Sequence, residues 1–143
     1  MSANSRLTVA VHAVTWIGLY RSRGFEVATS EQIADSAGTN PVVIRRLLGQ
    51  LRAAGLVESR RGAGAGWTLT RDLADITMLD VYDAIESGPL FGMHHAEPNP
   101  DCVVGAGIQP ALGNVYGRLE ETLRAELAAT TLAVVLSDTL ATP

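Results

Sequence analysis

The chain has 143 residues, of which 47% are hydrophobic and 18% charged, and its formal net charge is −4. This length suits one domain with a modest appendage. No run of about 18 apolar residues is present, which excludes an obvious membrane span, and the first residues lack a secretory pattern. The single cysteine excludes an internal disulfide, so a cytoplasmic location is expected.

The net charge hides two unlike halves. Residues 1–72 contain nine arginines and five acidic residues, a formal charge of +4. Residues 73–143 contain two arginines and ten acidic residues, a formal charge of −8. A polyanion responds to the local field, so a surface for a polyanion is expected in the first half.

A first helix is expected over residues 5–20, with Ser5 as its cap and a wide apolar face. That face comprises Leu7, Ala10, Val11, Val14, Trp16 and Ile17. A turn rich in arginine follows at residues 21–24.

Residues 29–54 predict two helices joined by a short turn. Thr29 and Gln32 have the spacing of a capping box, and Gly38 suits a left-handed helix end. Asn40 followed by Pro41 is typical of a new helix start. About two residues then separate the helices, which indicates a helix-turn-helix.

The second of these helices has two faces. Its apolar stripe comprises Val43, Leu47, Leu48 and Leu51. Outside that stripe lie Asn40, Val42, Arg45, Arg46, Gly49 and Arg52. Such a helix fits the major groove of DNA, where its first residues reach base edges and arginine can bridge guanine. We expect a structural role for Arg52. The alternative interpretation of the adjacent Arg45 and Arg46 is that they form an ordinary solvated surface.

A hairpin is expected next, with strands over residues 56–59 and 67–70. Glycines interrupt its tip at residues 60–66 and allow a close approach to a phosphate ridge, while paired arginines can enter a minor groove. A plain hairpin loop is the alternative. The residues expected at DNA are Thr29, Asn40, Val42, Arg45, Arg46, Arg60, Arg61, Gly62 and Gly64.

The second half starts with a short helix opened by Thr77 and Asp80, with Leu79, Val81, Tyr82 and Ile85 facing inward. An irregular loop follows over residues 88–107, and a loop of this length is typically functional or mobile. It contains Cys102, His94 and His95.

A long helix is expected from residue 106 or 108 to residue 133 or beyond. Its apolar stripe comprises Leu112, Val115, Tyr116, Leu119, Leu123, Leu127 and Thr130. A small domain cannot cover such a helix alone, so we expect a homodimer through Leu112, Val115, Leu119, Leu123 and Leu127; the alternative is a stripe folded back on its own domain. A two-fold dimer predicts a near-palindromic operator.

The expected divisions are a winged helix-turn-helix domain over residues 1–88, a sensor-like loop over 89–107, a dimerisation helix over 108–136 and a disordered tail over 137–143.

A resemblance to the Rrf2 family of bacterial winged-helix transcriptional regulators is carried by TSEQIADSAGTNPVVIRRLLGQLRAAGLVESRRGAGAGW. RLTVAVHAVTWI before it and DITMLDVYDAIE after it extend the resemblance over nearly the whole chain. It implies a mainly α fold with a small β-hairpin wing, duplex DNA as partner and a dimer through C-terminal helices. The capped helix pair, the arginine-rich wing and the charge split lead us to expect a DNA-binding repressor. Ala65 and Trp67 depart mildly, since the family commonly has glycine and tyrosine there.

Several members of that family bind an iron–sulfur cluster through three cysteines in the loop. This chain has one cysteine, so we expect no cofactor and no metal ligands. Three interpretations of Cys102 stay open: a small, partly buried residue, a redox-sensing thiol at a helix start, or a metal site with His94, His95 or Glu97.

Two other functions compete with a DNA-binding regulator. A winged helix can serve only as a protein-interaction module. A thiol enzyme could use Cys102 with His94 or His95 as base. The chain has no phosphate loop, paired-carboxylate pattern or nucleophile elbow, so we expect no enzyme.

Overall fold

The computed structural model describes residues 3–143, with side chains described from residue 5 onward. The protein divides into two compact units. The first unit runs to Glu86 and resumes at Leu127, and the second comprises Ser87–Glu126. The predicted division at residue 88 therefore omits the last part of the chain, which belongs to the first unit.

Three helices open the first unit: α1 (Ala3–Ser22), α2 (Ser30–Ala37) and α3 (Pro41–Ala53). Helix α1 is two residues longer at each end than predicted. The predicted capping box of α2 is confirmed, because Thr29 Oγ1 accepts a hydrogen bond from the Gln32 N–H and the Gln32 side chain accepts one from the Thr29 N–H. Gly38 ends α2 with φ 68°, a left-handed conformation that favours glycine.

Helix α3 packs a slightly different face on the core than its sequence predicts. Ile44, Leu47, Leu48 and Leu51 are buried. Ile44, which the predicted stripe leaves out, is completely inaccessible, whereas Val43 is only half-buried. The core surface of α3 therefore differs from the predicted one at a single position, with Ile44 in place of Val43.

Strands β1 (Val57–Arg60) and β2 (Gly66–Leu69) form the predicted hairpin. They pair antiparallel, with Val57 opposite Leu69 and Arg60 opposite Gly66. Ala28 forms a further antiparallel bridge to Trp67, so the segment before α2 lies against the hairpin. The hairpin is thus joined by backbone hydrogen bonds to the start of the helix-turn-helix.

A short 3-10 turn at Leu73–Asp75 leads to α4 (Met78–Ile85), whose capping box between Thr77 and Asp80 is confirmed. Val81 and Ile85 are buried as predicted. Leu79 and Tyr82 are only half-buried, whereas Met78 and Ala84 pack against the core.

The predicted single C-terminal helix is two helices, α5 (Val103–Ala129) and α6 (Leu132–Ala141). The Thr131 side chain accepts a hydrogen bond from the Val134 N–H and caps α6. Backbone N–H groups of Met78 and Leu132 donate to the carbonyl oxygens of Thr130 and Ile76, each at 2.8 Å. The prediction of a disordered tail from residue 137 was wrong, because α6 continues to Ala141 and Leu132 at its start is fully buried.

In the second unit, residues 87–102 form no helix or strand, and α5 begins at Val103, three to five residues before the predicted start at residue 106 or 108. The rings of Phe91 and Tyr116 lie 4.9 Å apart, which attaches this segment to α5. None of the 27 residues of α5 is buried. Within residues 3–143, no helix combines the length and the apolar character that crossing a lipid bilayer requires.

Candidate nucleic-acid interface

The first turns of α3 present four of the predicted DNA contacts at the surface. Val42, Arg45 and Arg46 are exposed, and Val42 keeps 56% of its accessible surface although it is apolar. They are exposed because the opposite side of the helix packs Ile44 and Leu47 into the core. Asn40 Oδ1 accepts a hydrogen bond from the Val43 N–H at 3.0 Å, so its amide NH₂ is the group left for a partner.

Thr29 lies at the start of α2 rather than on α3. Its hydroxyl oxygen is already engaged in the capping box. A contact from Thr29 to DNA would therefore use the hydroxyl hydrogen as donor, with the oxygen still accepting from Gln32.

The tip of the hairpin is open to solvent. Arg60 ends β1, and Arg61, Gly62 and Gly64 follow in an exposed turn that the Ala65 N–H closes by donating to the Gly62 carbonyl at 3.1 Å. Gly62 and Gly64 have φ of 81° and 75°, which side chains other than glycine rarely adopt. The backbone conformation at these two positions therefore favours glycine.

Two arginines of this surface have acidic partners that sequence reasoning did not find. Arg45 Nη1 donates to Glu31 Oε1 at 3.2 Å, and Arg60 Nη1 donates to Glu26 Oε2 at 3.2 Å. The partners are 14 and 34 residues apart in sequence. Only the packing of α2 against α3, and of the segment before α2 against the hairpin, brings each pair together.

A contact between α3 and the hairpin fixes their relative arrangement. The Arg52 guanidinium donates to Ser59 Oγ at 3.2 Å and lies over the Trp67 ring, 5.7 Å from its centroid. The Trp67 indole N–H donates to Ser30 Oγ at 3.1 Å. The predicted structural role of Arg52 is confirmed, because its contacts hold α3 and the hairpin together.

The second unit contains the residues predicted to sense a signal. Cys102 is exposed, so the interpretation of a partly buried residue was wrong. The backbone N–H groups of Gly105 and, to a lesser degree, Val104 lower the pKa of its thiol because they stabilise the thiolate at the start of α5.

Cys102 and the two histidines near it in sequence do not form a metal-binding group. The His94 Nδ1 lies 3.5 Å from the Gln109 side-chain nitrogen, and His95 is exposed. Among residues 3–143 no group of three or more histidine, cysteine, aspartate or glutamate side chains is placed to hold a metal ion. The donor set does not fit an iron–sulfur cluster, which requires several thiolates.

The apolar stripe of α5 has little cover. Val115 and Leu119 keep 40% and 47% of their accessible surface, and Leu112 and Leu123 are half-buried. Leu127 is also half-buried, but it belongs to the first unit.

The first unit has an open apolar surface of its own, which we call the α1–α6 cleft. It has a volume of about 480 Å³ and lies between α1, the end of α2 and α6. Its apolar lining comprises Val11, Trp16, Leu19, Val135, Leu136 and Leu140.

Comparison with known proteins gives a consistent result. The Rrf2 family model, described as an iron-dependent transcriptional regulator, matches residues 3–138. YwnA of Bacillus subtilis (strain 168), provisionally named as an HTH-type transcriptional regulator, is 40% identical over 134 residues, which are 94% of this chain and 96% of YwnA.

Solved structures share the fold. A crystal structure provisionally identified as a DNA-binding protein is 37% identical, with a TM-score of 0.72 over 92% of this chain and 98% of its own. IscR of T. potens, at 23% identity, has a TM-score of 0.70 over 94% of this chain and 85% of its own. Because the family match extends over nearly the whole chain, the protein belongs to the Rrf2 family of transcriptional regulators.

Proposed function

We propose that this regulator binds duplex DNA as a homodimer at a near-palindromic operator and represses the adjacent genes. The observation that supports this most is the exposure of Val42, Arg45 and Arg46 on α3 together with Arg60 and Arg61 on the hairpin, in a unit whose α3 and hairpin are joined through Arg52 and Trp67. Family membership points to the same function. A repressor of this kind acts where the DNA is, in the cytoplasm.

The side chains of α3 and of the hairpin tip suit different kinds of DNA contact. On α3, the guanidinium groups of Arg45 and Arg46 can donate to the O6 and N7 acceptors of guanine in the major groove, and Val42 can contact a thymine methyl group. At the hairpin tip, Arg60 and Arg61 can enter the minor groove while Gly62 and Gly64 let the backbone approach phosphates. Base contacts then specify the sequence, and phosphate contacts position the protein.

Two uncovered apolar surfaces support the homodimer. Helix α5 has no buried residue along 27 positions, and the α1–α6 cleft leaves Leu140 exposed in the first unit. Apolar patches of this kind mark interaction sites. A two-fold axis would present two recognition helices to successive half-sites.

We propose that the protein works without an iron–sulfur cluster, because such a cluster needs several thiolates and this chain has one cysteine. The lowered pKa of Cys102 favours an accessible thiolate, and the described residues place no metal-ligand group around it, so a redox role fits better than a metal role. A peroxide would convert the thiolate to a sulfenate and be reduced in turn, with its other oxygen leaving as water or an alcohol.

The test is DNA binding to the promoter region of the protein's own gene, measured by fluorescence anisotropy against unrelated DNA of equal length. Replacement of Arg45 or Arg46 by alanine should weaken operator binding by about 1–3 kcal/mol for each arginine that reads a base. Arg118→Ala on α5 removes an equal charge away from α3 and the hairpin, so it should leave binding nearly unchanged.

Specific DNA binding would be refuted if the wild-type protein showed no preference for the promoter at moderate salt. An unchanged affinity in the arginine variants, with regulation intact in cells, would favour the alternative of a protein-interaction module.

A further inference from the structure

The proposed DNA-contacting arginines, which we call the reading surface, fall into two kinds. They are Arg45 and Arg46 on α3 and Arg60 and Arg61 on the hairpin. On α3, Arg45 is paired with Glu31, and on the hairpin Arg60 is paired with Glu26. Their sequence neighbours Arg46 and Arg61 have no acidic partner among the residues that the structure describes. Of these four arginines, α3 and the hairpin each contribute one that is paired with a glutamate and one that is not.

The two acidic residues are held in place by the fold. Glu31 lies in the first turn of α2, where the helix dipole favours a carboxylate. Glu26 lies two residues before Ala28, which is hydrogen-bonded to Trp67 of the hairpin. Both carboxylates are mostly exposed, with 68% and 85% of their side-chain surface accessible, so they face the same solvent as the arginines.

We propose that Glu31 and Glu26 are selectivity determinants, which weaken binding to arbitrary DNA more than binding to the operator. This inference rests on the proposed function. Each glutamate engages one nitrogen of its arginine, and a guanidinium has five N–H donors. Arg45 can therefore keep its contact with Glu31 while it donates two hydrogen bonds to a guanine edge.

A phosphate contact places different demands on the same group. A phosphate oxygen competes with the carboxylate for one cation, and the two anions repel each other. Binding through phosphates alone would therefore separate the pair, whereas binding to the correct base would not. Arg46 and Arg61, which have no acidic partner among the described residues, face no such competition when they bind a base edge or a phosphate.

The experiment compares Glu31→Gln with Asp35→Asn, which removes an equal charge from the same helix at a residue without an arginine partner in the described chain. For the hairpin, Glu26→Gln is compared with Glu58→Gln in β1 on the same grounds. Affinities for the operator and for unrelated DNA are measured by anisotropy at several salt concentrations. An exposed ion pair changes an equilibrium by less than about fivefold, which sets the scale of the effect.

Glu31→Gln and Glu26→Gln should tighten binding to unrelated DNA by about two- to fivefold and change operator affinity by less than about twofold. The matched controls should shift both affinities equally. In an Arg45→Ala background, Glu31→Gln should have no such effect, because the glutamate acts through that arginine. Circular dichroism and thermal unfolding of each variant would establish that the fold is unchanged.

Three results would overturn the inference: an equal change for both DNAs, a loss of operator affinity in the glutamine variants, or persistence of the effect without Arg45. Failure of the proposed function would look different. In that case the wild-type protein would not distinguish the operator from unrelated DNA at all.

Discussion

At the scale of single residues, the thiol of Cys102 shows how backbone geometry changes chemistry without burial. It is exposed, yet N–H groups of the first turn of α5 lower its pKa. A group whose pKa is lower in the folded chain stabilises the fold above its unfolded pKa, and this stabilisation is lost as the pH falls through the folded pKa. The folded thiol should therefore be the more reactive one near neutral pH.

We predict that iodoacetamide alkylates Cys102 with a pH midpoint lower in the native protein than in the same protein unfolded in urea. Since the thiol is accessible in both states, a difference in midpoint reports thiolate stabilisation rather than access. Mass spectrometry of time points across a pH series would measure it. Coincident midpoints would show that the N–H groups do not act on the thiol in solution.

At the scale of helices and strands, two glycines on helices have opposite surroundings. A Cβ placed at Gly18 in α1 would overlap the side chain of Leu73 in the 3-10 turn, whereas one at Gly49 in α3 would meet nothing. Leu73 is itself buried, so it cannot move away without disturbing the core. Gly18 is required by close packing and Gly49 is not.

Gly18→Ala should destabilise the protein by about 1–3 kcal/mol through overpacking. Gly49→Ala should stabilise it by about 0.5–1 kcal/mol, because alanine favours the helix. Urea unfolding followed by circular dichroism would compare the two variants. A stabilised Gly18→Ala protein would mean that α1 and the 3-10 turn are not in contact.

Local rules predicted the elements whose signals lie within a few residues. The capping boxes at Thr29 and Thr77 and the glycine at the end of α2 each involve neighbours, so the sequence located those helices well. The break between α5 and α6 was missed because Thr130 fitted a continued apolar stripe. At this break the backbone pairs with Ile76 and Met78, a contact over more than 50 residues that periodicity cannot reveal.

In the candidate site, too, the sequence predicted the features that depend on neighbouring residues and missed those that depend on tertiary packing. The exposed arginines and glycines follow from periodicity and turn chemistry, and they lie at the surface as expected. The glutamate partners of Arg45 and Arg60 depend on tertiary packing. Ile44 shows the remaining error, because a pattern with four adjacent apolar or neutral positions does not fix the rotation of a helix.

At the scale of the whole molecule, the uncovered stripe of α5 predicts an association between copies. Leu119→Arg should convert the proposed dimer to a monomer and weaken operator binding, because a charge at the centre of an apolar interface is costly. Asn114→Arg, on the other side of α5 by the 100° rotation per residue, should leave both unchanged. Analytical ultracentrifugation and anisotropy would measure the two properties. A wild-type monomer that binds the operator tightly would rule out the dimer.

Because the chain returns to its first unit at α6, the carboxyl-terminal residues are part of the fold of that unit. Residues 127–143 complete the core through Leu132 and tie Thr131 to Thr77 by a backbone bridge. A protein truncated after α5 would therefore lose Leu132 from the core and expose the residues that it covers. A fusion joined at that point would disturb the unit that contains α3 and the hairpin. Residues 87–102 lie outside α5 and outside the core of the first unit, so they are the segment to vary when the proposed dimer and the DNA-binding unit are to be kept.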